Sequence, residues 1–281
     1  LESQDQAQGW RRERIQAQIA LVHWVLGNSP QATQMSVNLA PAEARALHLT
    51  RVLELPAEEC SAFLKEVQAI AKTGEFEQVR TSLQACAGLF GVHYRQVELR
   101  KRLAAAVRDG WHVMPVAFRV ELLLEMARAA KEEGDLQGGR TLLDEVDGVL
   151  AAHEWRQPQL FLPLVADIAV ARFSMGDTEQ AKQLVAMGQA AFQRDAGRIA
   201  NIYHARAMRP LGEALVEMGE MKLALRLFDT VLDLGQANPN SRPRAEDFVA
   251  TCCALATSGL VPSAPLWAKL EEIKAGLGDP W

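Results

Sequence analysis

The sequence predicts an all-α protein, an α-solenoid of antiparallel helical hairpins. Three observations support this. The chain of 281 residues is rich in alanine, leucine, glutamate, arginine and glutamine and only 6% aromatic, a composition that favours helices. Glycines expected at turns recur at positions 134, 176, 219 and 259, with intervals of 40 to 43 residues. A small residue often follows such a glycine five positions later, where two helices can approach closely.

The clearest hairpin lies at residues 208–234. Its first helix carries Leu211, Gly212 and Leu215 at helical spacing, and Gly219 is expected to end it. The second helix carries a facing apolar seam formed by Ala224, Phe228, Val231 and Leu232. Glycine suits this turn because it adopts the left-handed conformation that ends a helix.

The same pattern predicts the helices of the second part of the chain. They lie at residues 118–133, 136–153, 160–175, 178–194, 199–218, 221–234, 245–257 and 265–275. Residues 236–244 are predicted to be a loop, since they contain Pro239 and Pro243.

The first part of the chain is less regular. Its predicted helices lie at residues 10–26, 42–55, 58–72, 76–89 and 94–108. The stretch 109–115 is the clearest break in the pattern. We therefore predict irregular helical hairpins over 1–110 and a regular array over 111–281, with one continuous solenoid as the alternative.

The residue five places after each turn glycine is usually alanine. It is Ala32, Ala181, Ala224 and Ala264 after the glycines at 27, 176, 219 and 259. Val79 and Gly139 stand at this place after Gly74 and Gly134.

This pattern resembles the tetratricopeptide repeat. Residues 211–231 match best, and Ile168, Ala169, Gly176 and Ala181 form the second match. The resemblance implies a right-handed superhelix in which the first helix of each hairpin lines a concave, partner-binding face. The family repeats every 34 residues or so, whereas this chain repeats every 40 to 43, so its hairpins are expected to be taller or its loops longer.

Charge and hydropathy exclude several classes of protein. The net charge is -5 and lysine and arginine are dispersed, whereas nucleic-acid binders show a basic stripe. We therefore expect no nucleic-acid partner. No apolar run approaches the length that crosses a bilayer, and no membrane span is predicted.

Cysteine usage favours a cytoplasmic location. The four cysteines, Cys60, Cys86, Cys252 and Cys253, stand among alanine and leucine in predicted helices without a CxxC pair, so we interpret them as small buried hydrophobic residues. Because the sequence begins at Leu1, a removed signal peptide, a removed anchor and a missing N-terminal domain stay open.

No motif supports an enzyme, a cofactor or a metal. Residues 134–141 (GDLQGGRT) have the spacing of a phosphate-binding P-loop, with Arg140 in place of lysine. Such a loop follows a strand, whereas this segment follows a predicted helix and falls on a repeat turn. The six histidines are dispersed, without zinc-ligand spacing.

The resemblance also implies which residues would meet a partner. The corresponding positions are Glu121, Leu124, Arg128, Lys131, Ala166, Val170, Phe173, Arg206, Arg209, Glu213 and Val216. Tyr203 and His204 precede the last group and could add an aromatic contact. From this set we predict that Arg128, Lys131, Phe173, Tyr203, Arg206, Arg209 and Glu213 bind a partner. The arginines could hold a carboxylate or an acidic peptide through paired hydrogen bonds.

The leading hypothesis is therefore a non-enzymatic scaffold that binds a protein or peptide segment. The alternatives are a sensor or regulatory module of a larger protein, with its effector domain upstream, and an α-helical enzyme. The sequence identifies neither a particular partner nor an oligomeric state.

Overall fold

The computed structural model describes residues 28–36, 52–153 and 158–277, together with seven residues between 15 and 26. Within these ranges the protein is all-helical, as predicted, with no strand. The predicted helix at 10–26 lies partly, and that at 42–55 mostly, outside the described residues. No helix in the described ranges has the length and apolar character needed to cross a membrane.

Twelve α-helices are present in the described part of the chain. In order they are α1 (Ser29–Ser36), α2 (Cys60–Thr73), α3 (Phe76–Val92), α4 (Val97–Gly110), α5 (Val116–Glu132), α6 (Leu136–Ala151), α7 (Pro158–Ser174), α8 (Thr178–Asp195), α9 (His204–Glu217), α10 (Met221–Gln236), α11 (Ser241–Thr257) and α12 (Ala264–Gly276). Short 3-10 helices cover Trp111–Val113, Ala196–Arg198 and Asn201–Tyr203.

The chain divides into two compact units, Leu1–Met114 and Pro115–Trp281. In the first unit α3 packs on α4, and α2 packs on both. Apolar side chains such as Leu83 and Leu103 are fully buried there. The buried ring of His93 places Nε2 2.9 Å from the Leu55 carbonyl oxygen, which fastens the segment before α2 to the end of α3.

In the second unit, consecutive helices pack in pairs. Helix α5 packs on α6, α7 on α8, and α9 on α10, while α7 also packs on α5 and on α9. One continuous apolar core extends from α7 to α12. It includes the fully buried ring of Phe228.

Four turn glycines take the left-handed conformation that the sequence predicts, with φ angles of 80° at Gly134, 88° at Gly176, 75° at Gly219 and 64° at Gly259. Gly74 differs, since its backbone is extended, with φ -75° and ψ 156°. At each of the four left-handed turns the amide of the following residue bonds back into the ending helix, as Asp135 does to the Ala130 carbonyl. This bond satisfies a helix-end carbonyl that would otherwise lack a partner.

The predicted small residues allow close helix packing at several places. Ala181 and Ala224 are fully buried. A Cβ at Gly139 would lie 2.6 Å from the Met175 methyl carbon, so only glycine fits there without a shift. Ala264 is exposed, contrary to expectation, because it is the first residue of α12.

Two predicted boundaries near the proposed binding residues are wrong. Helix α9 begins at His204 rather than 199, because the backbone is extended at Ile199 and Ala200. Helix α11 begins at Ser241, inside the predicted loop. Pro243 is tolerated because it lies in the first helical turn, where the backbone amide needs no helical partner.

Candidate partner-binding face

Helices α5, α7 and α9 each leave one face accessible to solvent. We call these accessible positions the first-helix face. It consists of Glu125, Arg128, Lys131, Asp167, Val170, Phe173, Arg206, Arg209, Glu213 and Val216, all exposed or half-buried. On α5 and α7 these residues stand nine, six and three places before the turn glycine, a spacing that puts them on one side of a helix.

Three predicted binding residues are basic, exposed and unpaired. Arg128 and Lys131 lie on α5, and Arg206 lies in the first turn of α9. None of the three has a hydrogen bond or an ion pair in the part of the chain that the structure describes. Their side-chain donors are therefore accessible to solvent, although Arg128 also interacts electrostatically with Glu125 and Asp167.

Arg209 and Glu213 partly neutralise each other. Arg209 Nε lies 3.6 Å from Glu213 Oε1 one turn further along α9. The Arg209 side chain is only 20% exposed, whereas that of Glu213 is 48% exposed. Pro210 follows Arg209 and lacks the amide hydrogen that would bond to the Arg206 carbonyl.

The two predicted aromatic contacts differ in position. Phe173 is half-buried and packs against the apolar core, so only part of its ring faces solvent. Tyr203 is 40% exposed and lies in the 3-10 turn that precedes α9. The ring of His204 is half-buried, with Nε2 2.9 Å from the Ile199 carbonyl oxygen and its edge against Phe192. We therefore assign His204 to the core rather than to the face.

Two positions carried over from the family resemblance face the core instead. Leu124 and Ala166 are buried, at 2% and 3% exposure. The adjacent residues Glu125 and Asp167 take the solvent-facing positions, and the sequence interpretation missed both. Their common place nine residues before the turn glycine is the signal that would have identified them.

Burial raises the pKa of Glu125 and of Asp167, and the nearby Arg128 guanidinium partly opposes the shift at each. Yet both residues are accessible to solvent. Arg128 therefore lies close enough to both carboxylates to interact with them electrostatically, and the accessible positions of α5 and α7 carry both signs of charge.

A buried arginine, also missed from the sequence, joins α7 to α6. Arg172 is 2% exposed, and its Nη2 donates to Asp144 Oδ1 at 2.8 Å and to Asp147 Oδ2 at 2.6 Å. Its Nη1 lies 3.5 Å from Asp177 Oδ2 in the next turn. These contacts fix α7, and with it Asp167, Val170 and Phe173, relative to α6.

The segment that resembles a P-loop has a structural role. Asp135 caps α6 by accepting a hydrogen bond from the Gly138 amide at 2.7 Å. Arg140 donates from Nε to Asp177 Oδ1 at 2.9 Å and from Nη2 to the Met175 carbonyl. The arginine at the place of the P-loop lysine thus links two successive turns.

In the described ranges, no three His, Cys, Asp or Glu side chains are grouped so as to hold a metal ion. Comparison of the chain with protein-family models, curated proteins and solved structures gives no match.

Proposed function

We propose that this chain is a non-enzymatic interaction scaffold that binds a protein or peptide segment along the first-helix face. In this proposal the pairs α5–α6, α7–α8 and α9–α10 are successive units of a right-handed, tetratricopeptide-like solenoid. The packing of α7 against both α5 and α9 supports that arrangement.

The observation that carries the proposal is the set of exposed cations on the first-helix face. Arg128, Lys131 and Arg206 make no hydrogen bond or ion pair with the described residues. Such cations suit an anionic partner, since a hydrogen bond to an ionised group is stronger than a neutral one.

The same face also offers apolar contact. Val170, Phe173 and Val216 are half-buried, and each stands six or three places before its turn glycine. Apolar and aromatic contacts with charges around them are common at the centre of protein interfaces. We infer that the partner is an extended acidic segment with apolar side chains between its carboxylates.

A cytoplasmic setting is part of this proposal. All four cysteines are free thiols, which suits a reducing compartment.

Selection from a random peptide library displayed on phage tests the proposal with the intact chain as bait. We expect enrichment of acidic peptides that contain apolar residues. The double variant Arg206→Glu/Arg209→Glu should lose the selected peptides. The matched control, Lys222→Glu/Arg226→Glu, reverses two exposed charges on α10 and should retain them.

Two results would count against the proposal. One is a library that yields no binding sequence. The other is equal loss in both double variants, because a general charge effect would then explain the binding.

A further inference from the structure

A cavity of about 310 Å³ lies between α10, α11 and α12. Its apolar wall is formed by Val231, Leu232, Phe248, Ile273 and Leu277. Two charged side chains of α11, Arg244 and Asp247, also line it. They stand three residues apart in the sequence and so lie on the same side of the helix.

The carboxylate of Asp247 is buried without being satisfied. Asp247 is 9% exposed, and its Oδ2 has no hydrogen-bond partner. The side chain of Asn238, whose buried Nδ2 likewise makes no hydrogen bond, lies close to this carboxylate. Burial raises the pKa of Asp247, and the charge of Arg209, the Asn238 side chain and the charge of Arg206 oppose the shift. Buried polar atoms without partners are rare in folded proteins, and each calls for a specific explanation.

Gly235 on α10 lies close to Asp247 on α11, where a larger residue would crowd it. A Cβ at Gly235 would lie 3.3 Å from the Asp247 Cβ, closer than most such contacts. Gly235 lines the cavity too. The close approach of α10 to α11 therefore depends on a residue without a side chain beside the carboxylate.

Arg244 is held in place but keeps donors for a ligand. Its Nη1 donates to the Asn238 carbonyl at 2.9 Å and to the Pro239 carbonyl at 3.1 Å. In the described part of the chain it pairs with no carboxylate, Asp247 included. Its Nε and Nη2 hydrogens are therefore left for another acceptor.

We propose that this cavity binds a small zwitterion, an apolar α-amino acid, with its ammonium group on Asp247, its carboxylate on Arg244 and its side chain against the apolar wall. The cavity is at the lower end of the roughly 300–1,000 Å³ that ligand sites occupy, which suits a single molecule of this size. An amine without a carboxylate would leave Arg244 unpaired. A carboxylate without an amine would place a like charge beside Asp247. Only a ligand with both charges matches both side chains.

Isothermal titration calorimetry of the intact chain with leucine, isoleucine and phenylalanine tests this proposal. We expect saturable binding by at least one of the three. Isoamylamine is leucine without its carboxylate, and 4-methylpentanoate is leucine without its ammonium group. Both should bind at least about tenfold more weakly, because each leaves a buried charged group unpaired.

Variants locate the site. Asp247→Asn and Arg244→Gln should each weaken binding about tenfold or more. Glu246→Gln is the matched control, since Glu246 lies on the same helix, is exposed, and pairs with Arg242 at 2.8 Å. It should leave the affinity unchanged.

Two of the results that would overturn the proposal are measured on the wild-type chain. No binding of any of the three amino acids to the wild-type chain would contradict the proposal. Equal affinity for isoamylamine and leucine would show that Arg244 does not bind the carboxylate of the ligand. Full affinity in Arg244→Gln with a native circular dichroism spectrum would do the same.

Discussion

Arg172 on α7 and Asp147 on α6 are joined by a 2.6 Å contact between Nη2 and Oδ2, although the arginine is 2% exposed and the aspartate 37% exposed. A buried guanidinium is tolerated because several acceptors surround it. Asp144 supplies another at 2.8 Å. The arrangement holds the first-helix face of α7 in register with its neighbours.

Loss of this arginine should destabilise the second unit. We expect Arg172→Met to lower the free energy of unfolding by about 2 to 4 kcal/mol, because it leaves the facing carboxylates without their shared cation. Urea unfolding followed by circular dichroism measures the change. The control Arg242→Met removes an exposed pair between residues one turn apart and should cost less than about 0.5 kcal/mol. Similar effects in the two variants would contradict the structural role of Arg172.

Two glycine-to-alanine substitutions should change the stability of the chain in opposite directions. A Cβ would meet nothing within 4 Å at either Gly219 or Gly148, but Gly219 has a φ of 75°. We expect Gly219→Ala to destabilise the chain by about 1 kcal/mol through backbone strain alone. Gly148→Ala lies within α6 and should stabilise by about 0.5 to 1 kcal/mol. Thermal unfolding of both variants checks the signs, and two shifts in the same direction would contradict this account of the turns.

Much of the second unit could be predicted from the sequence because its turns require a positive φ, which favours glycine. The four glycines with positive φ were all identified by their spacing. Helix starts were harder to predict. Ser241 begins a helix in a stretch with two prolines because Pro243 falls in the first turn, and nothing local distinguishes that case from a loop.

The site was predicted less well than the fold, for two physical reasons. A helix turns by about 100° per residue. An error of one position therefore placed the buried residues Leu124 and Ala166 on the face, where the structure has the exposed acids beside them. The Arg172 cluster unites residues up to 33 positions apart. Such clusters depend on how helices pack, which periodicity alone does not specify.

Glu125 and Asp167 should make the stability of the chain depend on pH. Because burial raises the pKa of Glu125 and Asp167 above ordinary values of 4.5 and 3.8, the folded chain binds protons more tightly than the unfolded chain. Their charged forms therefore cost stability, and this cost develops as pH rises from the ordinary pKa through the folded one. Glu125→Gln/Asp167→Asn should be more stable than wild type at neutral pH, with a gain that shrinks toward pH 4 or so.

Urea unfolding at several pH values from neutral to acidic measures this gain. A double variant that is less stable than wild type at neutral pH would show that the carboxylates are net favourable in the fold. A gain that is the same at every pH would rule out their titration as the cause.

Cysteine reactivity should follow burial. Burial raises the pKa of Cys86 to about 12, and the thiolate is the form that alkylates. Cys253 is exposed. We expect iodoacetamide at pH 8 or so to modify Cys253 and to leave Cys86 unmodified until the chain unfolds. Mass spectrometry of proteolytic fragments, with urea-unfolded protein as the control, measures both sites. Rapid modification of Cys86 in the native protein would contradict its burial between α3 and its neighbours.

The most direct test of the central claim is the affinity of a selected acidic peptide, measured by fluorescence anisotropy against three forms of the intact chain. The wild type and Lys222→Glu/Arg226→Glu should bind with similar Kd, since α10 lies outside the first-helix face. Arg206→Glu/Arg209→Glu should raise the Kd at least about tenfold, because two cations that hold the peptide become repulsive. An unchanged Kd in that variant, with its helical circular dichroism intact, would contradict the claim that the first-helix face binds the partner.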